Sequence, residues 1–200
     1  MLDEDQTREH IAAMLDVAVR SGYGTKDELH EELVDMIEDE FSESDASMIA
    51  AEVARFEAKL EQAWAEQLEQ EAHWEPDTVN DRIDAAFEAL GERGIVALQD
   101  AGYTMSEGWE DIREAAEESE GAWGGVFFHR QDVERAVDGA GLMLAFGAFA
   151  DGAEHEPESL RLGREVCEVL ASHGVATEWD GTVHQRIAIP PFAWRKRRRD

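Results

Sequence analysis

Apolar residues recur at helical spacing along the first third of the chain. Ile11, Met14, Leu15, Ala18 and Val19 fall at i, i+3, i+4, i+7 and i+8, one buried stripe on a helix from about Asp5 to Arg20. Ser21, Gly22, Tyr23 and Gly24 interrupt it. Thr25 with Glu28 then forms a capping box that opens a second helix, with Leu29, Leu33, Met36, Ile37 and Phe41 on its inner side. A third helix is predicted from about Ala46 to Ala72. Its apolar positions Ile49, Val53, Phe56, Leu60, Ala63 or Trp64, and Leu68 alternate by fours and threes, the spacing of a seam that packs on other helices or on a second subunit.

After Pro76 the pattern changes. Asp77 or Thr78 caps a fourth helix carrying Val79, Ile83, Phe87 and Leu90, which ends at Gly94. Short apolar runs bounded by glycine follow and predict strands at Ile95 to Leu98, Val126 to Phe128 and Leu142 to Phe149. Helices are expected through Trp109, Ile112 and Ala116, over Asp132 to Val137, and from about Glu158 to Ser172, with Ala150 to Pro157 as an acidic loop. Val175 to Trp179 and Thr182 to Ile189 read as a hairpin, because Asp180-Gly181 is the pair a two-residue type I′ turn selects. The predicted class is α+β: an acidic three-helix region at residues 1–75, an α/β domain with a four- or five-stranded sheet and helices on one face at 76–192, and a basic flexible tail at 193–200.

Several of these segments together resemble a known family. They are Asp81-Arg82-Ile83-Asp84-Ala85-Ala86-Phe87, Arg93-Gly94-Ile95-Val96-Ala97, Val126 through Ala136, Leu144 to Phe149, and Glu178-Trp179-Asp180-Gly181 with Trp194 and the basic residues behind it. The combination is similar to a bacterial, mainly actinobacterial family catalogued as a domain of unknown function, across nearly the whole chain. Many members of that family have a cysteine-rich loop after the strand equivalent to Ile95 to Leu98. Here the loop is Gln99-Asp100-Ala101-Gly102-Tyr103-Thr104-Met105, which has no cysteine, so a metal or redox role attached to that loop is not carried over to this chain.

Charge narrows the choice of partner. The 200 residues carry 47 acids against 18 bases, a formal net charge of -29. Residues 1–75 hold 22 acids and 5 bases, residues 76–160 hold 20 and 5, and residues 161–200 reverse the sign with 5 and 8. Most of this surface therefore repels nucleic acid and anionic membrane. The tail Arg195, Lys196, Arg197, Arg198 and Arg199 is the one segment suited to phosphate, although it is also drawn to the protein's own acidic surface. The longest uncharged run, Gly139 to Ala150, is shorter than the roughly 20 residues a membrane span needs, and the acidic N-terminus does not read as a signal peptide. A cytoplasmic protein is expected.

Candidate chemistry is sparse. His129, Arg130 and Asp132 follow a predicted strand and open a helix, so they fall at the carboxyl edge of the sheet, where such proteins bind ligands; Asp132 reads equally as an acid favouring the helix dipole. No Ser, Cys or Thr lies in a nucleophile elbow, and the single Cys167 sits within an apolar helical stripe as a buried thiol. Glu154-His155-Glu156 are adjacent loop residues with poor metal-ligand spacing, and Gly22-Tyr23-Gly24 lacks the strand and third glycine of a dinucleotide fingerprint. No cofactor and no metal are expected. The six tryptophans read mainly as packing anchors.

Two function classes fit. The first is a non-catalytic interaction or regulatory protein whose acidic surface takes a protein partner, a basic one in particular. It would be a monomer, or a homodimer through the helix containing Leu60, Trp64 and Leu68. The second is a small-molecule binder or modest hydrolase with His129, Arg130 and Asp132 at the rim of a cleft.

Overall fold

Capping chemistry sets where the helices begin. The computed structural model describes residues 3–198, which divide into two units, residues 3–76 with 195–198, and Asp77–Trp194. In the first unit Asp3 caps α1 (Glu4–Ser21), Thr25 caps α2 (Lys26–Glu40) and Asp45 caps α3 (Ala46–Glu71), each side chain accepting backbone N–H groups that the first turn leaves without partners. The three helices bury Ile11, Leu15 and Val19 against Leu29, Leu33, Ile37, Phe41, Phe56 and Leu60. These are the predicted inner faces. α1 ends at Gly22, whose φ of +78° turns the chain sharply toward α2.

The second unit is α+β. It runs α4 (Val79–Gly91), β1 (Ile95–Leu98), α5 (Met105–Glu118), β2 (Gly124–Phe127), α6 (Arg130–Val137), β3 (Leu142–Ala148), α7 (His155–Ser172) and β4 (Ile187–Ile189). The strands form one sheet in the order β1-β2-β3-β4, with β1 parallel to β2 and both later pairs antiparallel.

The helices cover both faces of this sheet, where one face was expected. Register aligns Ile95, Gly124 and Ala148 on one side and Val96, Gly125 and Gly147 on the other. A Cβ on Gly124 would meet Leu162 of α7, whereas one on Gly125 would meet Ile112 of α5 and one on Gly147 the Trp109 ring. Glycine at these positions lets helices approach from opposite sides. Strands this short and apolar carry no alternation in sequence that tells a doubly covered sheet from a singly covered one.

Two further expectations are corrected. The hairpin is reduced to a bridge between Glu178 and Ala188, with β4 only three residues long. Asp180 accepts from the N–H and hydroxyl of Thr182, both at 2.9 Å, and the Trp179 indole N–H donates to the Thr182 carbonyl at 2.9 Å. This local turn displaces the type I′ geometry; Gly181 has positive φ but Asp180 does not. The acidic segment Ala150 to Pro157 is not all loop either: a 3-10 turn at Gly152–Glu154 leads into α7, which begins at His155.

Candidate functional site

Because β1 and β2 are parallel, the residues that follow them leave the sheet at the same edge. Asp100 and Ala101 come from β1; Phe128, His129 and Arg130 come from β2. The two exits are tied together, with the Ala101 N–H donating to the Phe128 carbonyl and the Arg130 N–H to the Gly102 carbonyl, both at 3.0 Å. Asp100 stands at φ +53°, a left-handed conformation that aspartate tolerates better than most residues. There its carboxylate accepts from Arg130 Nε at 2.8 and 2.9 Å. The Asp100 side chain is nearly buried, so Arg130 is engaged in joining two loops.

His129 and Asp132 cap α6 reciprocally. The Asp132 N–H donates to His129 Nδ1 at 3.3 Å, which requires an unprotonated Nδ1, and the His129 N–H faces Asp132 Oδ2 at 3.5 Å. Asp132 is 0% exposed and His129 5%. Around the Asp132 carboxylate stand His129 Nε2 at 3.2 Å, Arg186 Nη1 at 2.7 Å, and the Arg135 guanidinium bonded to the other oxygen. Burial holds the imidazole below its usual titration range; Asp132 raises it, and Arg186 and Arg135 lower it further. Three cationic or polar groups thus converge on one interior carboxylate, in the arrangement that makes a buried charge tolerable. One turn along α6, Glu134 is pushed up by burial, with Arg130 acting against that and Asp100 and Asp138 adding to it.

The structure therefore brings the three predicted residues to one edge, as strand-to-helix placement implied. It also commits each of them to holding that edge together. A general base needs a lone pair facing a reactant. The Nδ1 lone pair of His129 is used by the cap and its Nε2 faces Asp132. Arg186, from 54 residues further on, completes the cluster and had no signal in the sequence.

A second constellation lies in the helical unit, where the basic tail packs against the C-terminal ends of α1 and α3. The described tail residues are not a solvated strand. Lys196 Nζ sits 4.9 Å from the centre of the Tyr23 ring, Arg197 Cζ 5.8 Å from Trp74, and Arg198 Cζ 4.0 Å from Trp64. Arg195 Nη1 approaches Glu75 at 3.2 Å and Arg198 Nη1 approaches Glu71 at 3.4 Å. Arg198 Nη2 also donates to the Val19 carbonyl at 2.5 Å, in the last turn of α1, where carbonyls lack helical partners. Aromatic faces and carboxylates together suit cations better than either does alone. Arg199 lies outside the described residues.

This packing also accounts for the long third helix. Leu60 is buried in the three-helix core, Trp64 packs at its margin beneath Arg198, and Leu68 remains 47% exposed. Cys167 is half-buried on α7 where a buried thiol was expected; burial raises its pKa, and a hydrogen bond with Thr177 acts against that. Trp109 meets Phe127 edge-on, and Trp179 meets Phe146 the same way over Gly163, so these rings serve packing. Among the described residues no three His, Cys, Asp or Glu side chains are grouped to hold a metal ion, and no helix is long and apolar enough to cross a membrane.

No curated protein and no solved structure matches the chain. A family model does match it, from residue 4 through the packed tail to residue 198. On that near full-length match, the chain belongs to the family described as domain of unknown function (DUF6891).

Proposed function

We infer that this protein acts by binding another protein and not by catalysis. The observation that carries the reading is the interior position of Asp132, with His129, Arg135 and Arg186 gathered on it. The residues best suited to chemistry are spent on the fold. What faces solvent instead is charge. On α5 alone, Glu107, Glu110, Glu114, Glu117 and Glu118 are exposed along successive turns, with Arg113 as the one exposed base among them. A surface of this sign steers a cationic partner and repels acidic competitors.

The test is quantitative capture from source lysate by the immobilised full-length chain at about 0.15 M salt, where the screening length is about 8 Å. A stoichiometric partner is expected, with retention reduced by Glu110→Gln, Glu114→Gln and Glu117→Gln together. Recovery of no protein above the blank matrix would remove the reading.

A further inference from the structure

The chain's own tail reports what the end of the helical unit is built to hold. Lys196, Arg197 and Arg198 are consecutive, and each lies over a different ring, Tyr23, Trp74 and Trp64. Carboxylates flank the rings, with Glu75 beside Arg195 and Glu71 beside Arg198. The α1 terminus adds the Val19 carbonyl, and it also makes room for a peptide backbone. A Cβ on Gly22 would stand 2.4 Å from the Lys196 carbonyl oxygen, so only glycine permits the tail to lie there. Rings, acids, a helix C-terminus and backbone clearance make a track that accepts an extended cationic peptide.

The resident peptide does not satisfy this track fully. The Arg198 side chain is only 9% exposed, yet its Nε has no hydrogen-bond partner. Burial favours loss of the guanidinium's charge, against Glu71, which favours keeping it. The track also widens beside Arg195, the first base of the tail. Arg195 and Trp74 border an open cleft of about 620 Å³ whose other walls are Glu66, Glu69, Gln70 and His73. Two more carboxylates therefore stand where a longer cationic segment would extend.

We propose that this face of the helical unit is a docking site for an arginine- and lysine-rich segment of a partner protein, and that Arg195–Arg198 is its displaceable resident. The proposal goes beyond the α5 surface named above, adding a second face, and rests on the interaction reading only for the existence of a protein partner. Charge complementarity selects a cationic polypeptide, and the ring contacts favour arginine, whose planar guanidinium stacks.

Fluorescence anisotropy tests it with the full-length chain and a labelled peptide spanning Phe192–Asp200. The tail is covalently tethered and competes at high effective concentration. A full-length Arg195→Gln, Lys196→Gln, Arg197→Gln, Arg198→Gln protein should therefore bind the peptide at least about tenfold more tightly than wild type. Adding Trp64→Leu should cost about tenfold of that affinity, and the same peptide with glutamine for every base should not bind. If the fourfold variant does not fold, Arg198→Gln alone takes its place, with the same direction of change.

Equal affinity of folded variant and wild type overturns the proposal, as does affinity indifferent to Trp64→Leu. Sedimentation supplies a further contrary result: a wild-type dimer that becomes monomeric in the fourfold variant would give the track to a second copy's tail. The two readings also fail separately. A lysate partner retained equally by wild type and by Trp64→Leu overturns the docking site alone, whereas peptide binding with no lysate partner overturns the interaction reading.

Discussion

His129 shows how one side chain changes its meaning with its surroundings. As a histidine at the mouth of a sheet it invites a catalytic reading; as an N-cap it must keep Nδ1 unprotonated to accept the Asp132 N–H. Its folded pKa lies below the ordinary 6.5 because burial and the two arginines outweigh Asp132. The unfolded chain therefore binds more protons between those two values. The stability contributed by the neutral ring is fully present above about pH 6.5 and is lost as pH falls toward the folded value. Chemical denaturation of wild type and His129→Asn, which keeps a capping side chain, should show a smaller decline for the variant between pH 7 and 5. Parallel declines would mean that His129 titrates alike in both states.

At the scale of elements, glycine gives the sharpest contrast. Ala is favoured over Gly within a helix by up to about 1 kcal/mol, so propensity alone makes Gly91→Ala and Gly108→Ala both stabilising. Their surroundings separate them. A Cβ at Gly91, in α4, meets nothing within 4 Å, but one at Gly108, in α5, would stand 2.2 Å from the Phe127 ring and 2.9 Å from the Ala101 carbonyl. Overpacking costs typically about 1 to 3 kcal/mol, so Gly108→Ala should lose stability while Gly91→Ala gains some tenths. Thermal unfolding of the two variants checks the opposite signs. Sequence was a good guide wherever the determining contacts are local. The stripe through Ile11, Leu15 and Val19 and the box at Thr25 state their own geometry, and of the two caps offered for α4, Asp77 and Thr78, it is Thr78 that caps it. Thr104 with Glu107 forms the same kind of box but went unused, since Gly102 to Gly108 is expected as a loop, and it starts α5 at Met105, ahead of the apolar residues that mark its face. Contacts between distant segments left no such trace. Arg186 reaching Asp132, helices on both faces of the sheet, and Arg198 settling on Trp64 each join residues whose spacing carries no period. Asp180-Gly181 failed for a related reason, since the Thr182 contacts made by Trp179 and Asp180 outcompeted the turn that the pair alone prefers.

For the whole molecule, charge is the property that most shapes behaviour in solution. A net charge of -29 opposes compaction, and raising salt from about 10 mM to 0.5 M shortens the screening length from about 30 Å to a few ångströms, so Tm should rise over that range. A flat curve would mean that pairs such as Arg8 with Glu52, or the spacing of the carboxylates, already neutralise the repulsion. The tail is a second response to the same charge, since it brings cations back onto the acidic helices. This segment is part of the helical unit, held there by rings and carboxylates. Trypsin measures this directly, because Arg195, Lys196, Arg197 and Arg198 are four consecutive cleavage sites. A bound tail offers them only when it opens. Intact-mass analysis at low salt should therefore show cleavage at these bonds at least about tenfold slower than in the free Phe192–Asp200 peptide, accelerating when salt or Trp64→Leu loosens the tail. Cleavage at the free-peptide rate, unchanged by salt and by Trp64→Leu, would mean that the tail is not held on the helices.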